Sequence, residues 1–236
     1  MTVRFLPWIG SDYENGIMGL RVLVTCESHY GSTQYERPMV TAEIIKALAL
    51  GQKHPLAAKR LRRHPHFTKI MTSILRASHS TSPAHLERRA FWSKVAYCNF
   101  LQSFMKAPRD RPNEKAWTNG EEAFTRILTV LQPNLIVCYS IRNGQRVRKL
   151  AGTVPVAVVN HPSSRFAYRK VNPVIAAQFA AAKAVEKTEF ANCATFRAWR
   201  LSSDAAQPAR GADLSEGERP ALLAHWADLM ATIDAT

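Results

Sequence analysis

Four short apolar runs, rich in β-branched residues, constrain this chain more than any other feature. They occupy residues 20–25 (LRVLVT), 95–101 (VAYCNFL), 135–139 (LIVCY) and 154–159 (VPVAVV). A strand with one wet face alternates polar and apolar side chains, whereas continuous apolar runs belong to strands covered on both faces. Segments of helical character lie between them, at 41–51, at 67–75, from Pro83 to about Lys94, at 121–131 and at 145–150, and an Ala-rich run at 173–190 follows the last strand. This alternation predicts an α/β fold with a central, mainly parallel four-stranded sheet and helices on both faces, in three layers. Residues 202–217, rich in Ser, Ala, Pro, Gly and Asp, read as a linker. Beyond it, Ser215 and Glu218 make a capping-box pattern before an amphipathic helix at 222–233. The expected organisation is one domain over 1–190 and a C-terminal linker and helix over 191–236, since 236 residues suit one domain at roughly 150 residues each.

A hydrophobic share of 46% suffices for a core and excludes a collagen or a wholly disordered chain. No run approaches the roughly 18–20 apolar residues of a membrane span, and the opening MTVRFLPWIGSDYENG lacks the charged-then-apolar order of a secretory signal. A cytoplasmic protein without membrane contact is therefore expected. Cys26, Cys98, Cys138 and Cys193 stand too far apart for CxxC metal clips, so free thiols are expected, the first three buried in strands. His54, His64, His66, His79 and His85 show no metal spacing with thiol or acidic partners, and a surface facing a polyanion accounts for them better.

Charge narrows the partner. Lys and Arg number 32 against 18 Asp and Glu, a net +14 with a pI near 10.1, and such self-repulsion in one domain points to a polyanion, nucleic acid first. The excess is concentrated: Lys53, Lys59, Arg60, Arg62, Arg63, Lys69, Arg76, Arg88 and Arg89 face only Glu87 in their stretch. A solvated helical face is the plain alternative for such a run.

In an α/β sheet of this kind, ligands bind in the loops at the carboxyl ends of the strands. Here the first strand is followed by Cys26-Glu27-Ser28-His29-Tyr30-Gly31, Asn99 sits in the second, and His161-Pro162-Ser163-Ser164-Arg165 follows the last. In that order they resemble the uracil-DNA glycosylase superfamily, across roughly residues 18–185. The resemblance implies that His161 donates to the uracil O2 as charge develops on the leaving base, and that Asn99 reads the base edge with its amide. Alignment on Tyr30 sets Ser28 where many members carry an Asp or Asn that positions water. The preceding Glu27 matches a branch whose motif begins Gly-Glu, so Glu27 with Ser28 would orient water or the sugar cation. His29 stands where the family has Pro, a departure from the usual motif wording. Cys26 and His29 flank the motif and are expected at the substrate, with Tyr30 or Tyr35 stacking on the flipped base. Ser163, Ser164, Arg165, Phe166, Tyr168, Arg169 and Lys170 would form the wedge and phosphate-contacting segment, joined on DNA by Lys59, Arg60, Arg62 and Arg63. No counterpart exists for the clustered-cysteine iron–sulfur site of some branches.

The expectation is thus a monomeric, metal-free, cofactor-free DNA glycosylase that flips deoxyuridine from single- or double-stranded DNA and leaves an abasic site. Two rivals come from the same residues. Ser28 in place of the common water-positioning side chain fits a non-catalytic reader of uracil or abasic sites, and the same pocket without the basic stretch fits a hydrolase of free nucleotides or another N-glycoside.

Overall fold

The computed structural model describes residues 3–78, 84–107 and 110–200, leaving aside the side chains of 84–87 and 186–200. In chain order, β1 (Trp8–Ile9) and β2 (Val22–Cys26) precede α1 (Val40–Ile44), which runs on as a π-helical turn (Ile45–Ala49). There follow α2 (Pro65–Ala77), α3 (Ala84–Ser93), β3 (Val95–Asn99), α4 (Glu114–Leu131), β4 (Leu135–Cys138), α5 (Ile141–Ala151), β5 (Val156–Val158) and α6 (Tyr168–Arg200).

The sheet has the order β1-β3-β2-β4-β5. Its four core strands are parallel, with Val22 opposite both Val95 and Leu135. β2, β3 and β4 are buried at every position, which is why their sequences carry no alternation. Side chains of Val22, Val24, Cys26, Val95 and Tyr97 pack toward α1, α2, α3 and α6. Leu23, Ala96, Cys98, Ile136 and Cys138 point the other way, toward α4 and α5. The three-layer α/β expectation therefore holds.

A fifth strand corrects the count of four. β1 pairs antiparallel with β3 through Trp8↔Tyr97 and Ile9↔Ala96, and Trp8 Nε1 donates to Trp92 O at 2.8 Å. Two residues between Pro7 and Gly10 are too short to show any period, so tertiary pairing alone makes this strand.

Helix beginnings also differ from the expected ones. α4 starts at Glu114, with Asn113 Oδ1 accepting from Ala116 N at 2.9 Å, and α5 starts at Ile141 after the Ser140 cap. Each early turn contains a glycine that reads as a breaker in sequence. Both mark close packing instead: a Cβ on Gly120 would lie 2.8 Å from Phe100 O, and one on Gly144 would lie 2.4 Å from Val158 Cγ1. α2 begins at Pro65, two residues before the expected start, because proline suits the first helical turn, where its missing N–H has no partner to lose.

α6 runs five residues earlier than expected and continues to Arg200. No Gly or Pro follows Pro173 within it, so the expected boundary at 190 falls inside a helix. Pro83, His79, the 202–217 linker, the Ser215 and Glu218 cap and the 222–233 helix lie outside the described residues, as do the side chains of His85 and Cys193. No helix among the described residues is long and apolar enough to cross a membrane.

Candidate functional site

The connection leaving β2 passes over one face of the sheet into α1 and α2, while that leaving β4 forms α5 on the other face. Adjacent parallel strands whose connections part in this way leave a crevice at their carboxyl ends. A cleft of about 650 Å³ opens there. Its walls come from four segments: residues 26–30 after β2, His64, His66 and Phe67 at the start of α2, Ser140, Ile141 and Arg142 after β4, and Asn160, His161, Ser163 and Ser164 after β5. Two motifs 130 positions apart in the chain thus share one cavity, as the sequence leads one to expect.

Glu27 is buried and held from both sides. Its Oε1 accepts from Arg142 Nη1 at 2.8 Å and its Oε2 from Ser140 Oγ at 3.1 Å. Each carboxylate oxygen keeps a second lone pair, so a water in the cleft can still donate to it. Ser28 Oγ is buried without a hydrogen bond of full geometry, though it lies close enough to the Tyr30 hydroxyl to favour that group's ionised form. Burial, the larger effect, raises the Tyr30 hydroxyl above its ordinary value. Tyr30 itself is 39% exposed at the cleft wall, free to stack on a planar ligand.

His29 is a different kind of residue from its neighbours. Its ring lies between Phe5 and Phe104, at centroid distances of 5.6 and 5.3 Å, and its Nε2 is 3.0 Å from Thr41 Oγ1. Burial pushes its pKa down to about 3, so the ring is neutral and structural although it contributes to the cleft wall. The unfolded chain binds a proton at His29 below about pH 6.5 that the folded chain refuses. The stabilising contribution is complete above that pH and is lost as pH falls toward 3, by up to about 1.4 kcal/mol per pH unit. Urea unfolding of the His29→Phe variant between pH 6.5 and 4 is expected to show a shallower loss of stability than the native chain by about this slope. Equal slopes would mean that His29 titrates freely in the fold.

His161 is half-buried, and the loop that carries it is fixed at three points. Ser163 N–H donates to its Nδ1 at 3.2 Å, Ser164 Oγ donates to its carbonyl oxygen at 2.8 Å, and Lys69 Nζ, from α2, donates to Pro162 O at 2.7 Å. An Nδ1 that accepts a hydrogen bond carries no proton, so this network assigns the proton of the neutral ring to Nε2. Burial first, and then the Lys69 charge, lowers the His161 pKa, which keeps the ring neutral around pH 7.

Beside it the fold assembles a group that sequence spacing does not reveal. Cys26 Sγ is 3.7 Å from His66 Nε2, the His66 and His161 rings lie 4.8 Å apart, and one donor atom from each of the three falls within 4.8 Å of the others. His66 is therefore not a surface histidine facing a polyanion, as its basic surroundings suggest. Burial pushes its pKa down to about 3. The Cys26 thiol is pushed up by burial, against the opposing hydrogen bond from Tyr97. The helical period of α2 turns His66 inward while Arg62 and Arg63, just before it, stay exposed.

Asn99 stands opposite Cys26 in the sheet, but it is buried, its Oδ1 accepts from Tyr97 Oη at 3.4 Å, and it does not line the cleft. Two aromatic expectations need correction. Phe166 stacks on Tyr139 at 6.5 Å and Tyr168 lies under the Arg76 guanidinium at 4.8 Å. Both are held against the body of the domain, so neither projects as a wedge. Tyr35 sits exposed on a 3-10 turn (Thr33–Tyr35) away from the cleft wall. Ser163, Ser164, Arg165, Arg169 and Lys170 are exposed on and after the His161 loop. Lys59, Arg60, Arg62 and Arg63 are exposed on the segment that leads directly into cleft-lining His64, so basic charge borders the opening.

Sequence reasoning missed Ser140 and Arg142 because it took loops after the first and last strands and passed over the one after 135–139. The signal was present, since every parallel strand delivers its following loop to the same edge. No protein-family model matches the chain, and comparison with curated proteins yields no match.

Proposed function

We propose that this chain hydrolyses the N-glycosidic bond of deoxyuridine in DNA, leaving an abasic site. The basic segment bearing Lys59, Arg60, Arg62 and Arg63 holds the phosphate backbone, and the flipped nucleotide enters the cleft against Tyr30. As the glycosidic bond breaks, negative charge collects on the leaving base and positive charge on the sugar. His161 Nε2–H donates to the base oxygen, and the Glu27 carboxylate faces the sugar cation and the attacking water, with Ser28 beside it. Arg165, exposed on the His161 loop, takes the place of Phe166 as the side chain that enters the vacated stack; Asn99, buried outside the cleft wall, takes no part in reading the base unless the sheet edge moves.

The observation that carries this proposal is the His161 ring at the cleft wall with its Nδ1 engaged by Ser163, which leaves Nε2–H as a fixed neutral donor. Such a donor needs no reorganisation when charge develops. An oligonucleotide carrying one deoxyuridine, single- or double-stranded, is expected to break at that position on alkali treatment after incubation with the protein. Intact strands at high protein concentration would sink the proposal. A second reading, a reader that binds uracil or abasic sites without turnover, is favoured by one observation: both Glu27 oxygens already hold protein partners. A shifted band on a native gel without cleavage selects it.

Backbone binding has its own signature. Affinity for DNA is expected to fall steeply with salt, and reversing Lys59, Arg60, Arg62 and Arg63 to Glu is expected to flatten the slope of log K against log salt by about 3 to 4. An unchanged slope places the DNA elsewhere, and unchanged turnover on a free nucleoside with no DNA binding selects a hydrolase of small N-glycosides.

A further inference from the structure

We infer that Cys26, His66 and His161 form a three-ligand site for a thiophilic divalent ion of the zinc class, with its fourth position open to the cleft. The effect on catalysis rests on the glycosylase proposal; the site itself does not. One thiol and two imidazoles are the donor set that selects zinc-like ions over magnesium or calcium, which take oxygen. Zinc bonds of about 2.3 Å to sulfur and about 2.0–2.1 Å to nitrogen, at tetrahedral angles, set donor atoms roughly 3.4–3.6 Å apart. Cys26 Sγ and His66 Nε2, at 3.7 Å, already match that spacing. The third donor lies within 4.8 Å, so closure requires about 1 Å of side-chain movement, and the His161 loop that would make it has Ser163 and Ser164 exposed.

Around the three donors, the cleft leaves room for an ion. A thiol 3.7 Å from an imidazole is a weak contact, and among the described residues none of the three side chains is in an ion pair. All three line the cleft, so an ion can enter from solvent. Binding would release the Cys26 thiol proton to solvent as the sulfur–metal bond forms. His161 has its Nδ1 taken by Ser163, so Nε2 is the nitrogen left for the ion. Its proton then moves to Nδ1, and the Ser163 N–H, exposed, turns to water. A metal-bound Nε2 has no proton for a leaving base, so the ion and base excision compete for His161.

The full chain, stripped of metal with a chelator, would be titrated with Co²⁺ and then Zn²⁺. One equivalent of Co²⁺ is expected to bring sulfur-to-cobalt charge-transfer absorption that Zn²⁺ displaces. Cys26→Ser is expected to abolish that absorption. His66→Ala is expected to weaken binding by more than the roughly 10–100-fold that an outer-shell change costs, with circular dichroism matching the native chain. Absence of stoichiometric uptake, or uptake that both variants leave unchanged, overturns the site. On uracil-DNA, the Zn²⁺-loaded chain is expected to be about 10²–10³-fold slower than the stripped one, the size of a lost charge-stabilising donor. Uptake that leaves excision unchanged overturns the shared use of His161. Uptake with no excision in either form keeps the metal site and removes the glycosylase proposal, and excision without uptake does the reverse.

Discussion

His161→Ala is expected to slow uracil excision by about 10²–10³-fold in single-turnover experiments while leaving DNA affinity nearly unchanged. The split follows from where the ring sits. His161 lines the cleft and its loop is held by Lys69, Ser163 and Ser164, whereas the exposed cationic side chains proposed to meet phosphate lie at Lys59–Arg63 and at Arg165, Arg169 and Lys170. On the proposed role, removing the ring takes away a donor that acts only as charge appears on the leaving base, and loss of an interaction made only in the transition state lowers kcat without raising KM. The variant should remain folded: the ring is half-buried, its one backbone donor, Ser163 N–H, can turn to water, and the stability loss should stay near 1 kcal/mol. Excision retained within a few-fold would show that His161 is not the group facing the base. Lost affinity with retained turnover would make it a phosphate contact.

Trp92→Ala is expected to cost about 3–5 kcal/mol of folding stability, a third or more of what a typical domain possesses. Trp92 is fully buried. Its ring meets Phe91 at 5.1 Å, Phe67 at 5.9 Å and Tyr97 at 6.1 Å, all edge-on, and its carbonyl anchors β1 through Trp8. Truncation leaves a cavity that a parallel sheet and three helices cannot easily close. The damage should also reach the cleft, because Phe67 lines it and Tyr97 binds Asn99. In urea, the unfolding midpoint should drop with little change in slope, and Trp92→Phe should recover most of the loss. A midpoint shift equivalent to less than about 1 kcal/mol would mean that the core relaxes around the void.

The four parallel strands were legible because burial on both faces leaves 22–26, 95–98, 135–138 and 156–158 almost wholly apolar, with Thr25 and the Tyr97 hydroxyl as the exceptions. Loops at strand ends were legible for the same reason: once a parallel sheet is assigned, residues 26–30 and 160–164 must lie on one edge. Cys26, Glu27, Ser28, His29, Tyr30, His161, Ser163 and Ser164 all reached the cleft. Their individual states did not follow from sequence. His29 and Glu27 sit two positions apart, yet one is packed between aromatic rings and the other is clamped by Arg142 and Ser140.

The chain's sequence by itself determined the periodic features, each encoded over a few consecutive residues: the apolar strands, the amphipathic helices, the basic stretch and the two strand-end motifs. Only the tertiary structure decided what depends on residues far apart in the chain. β1 exists because β3 offers it an edge, Gly120 and Gly144 lie inside helices because Phe100 and Val158 press against them, and Phe166 packs away because Tyr139 receives it. The meeting of Cys26, His66 and His161 belongs to the same class. Each of these is a contact between separate elements of the chain, and no local pattern of hydrophobicity or charge carries a record of which partner will arrive.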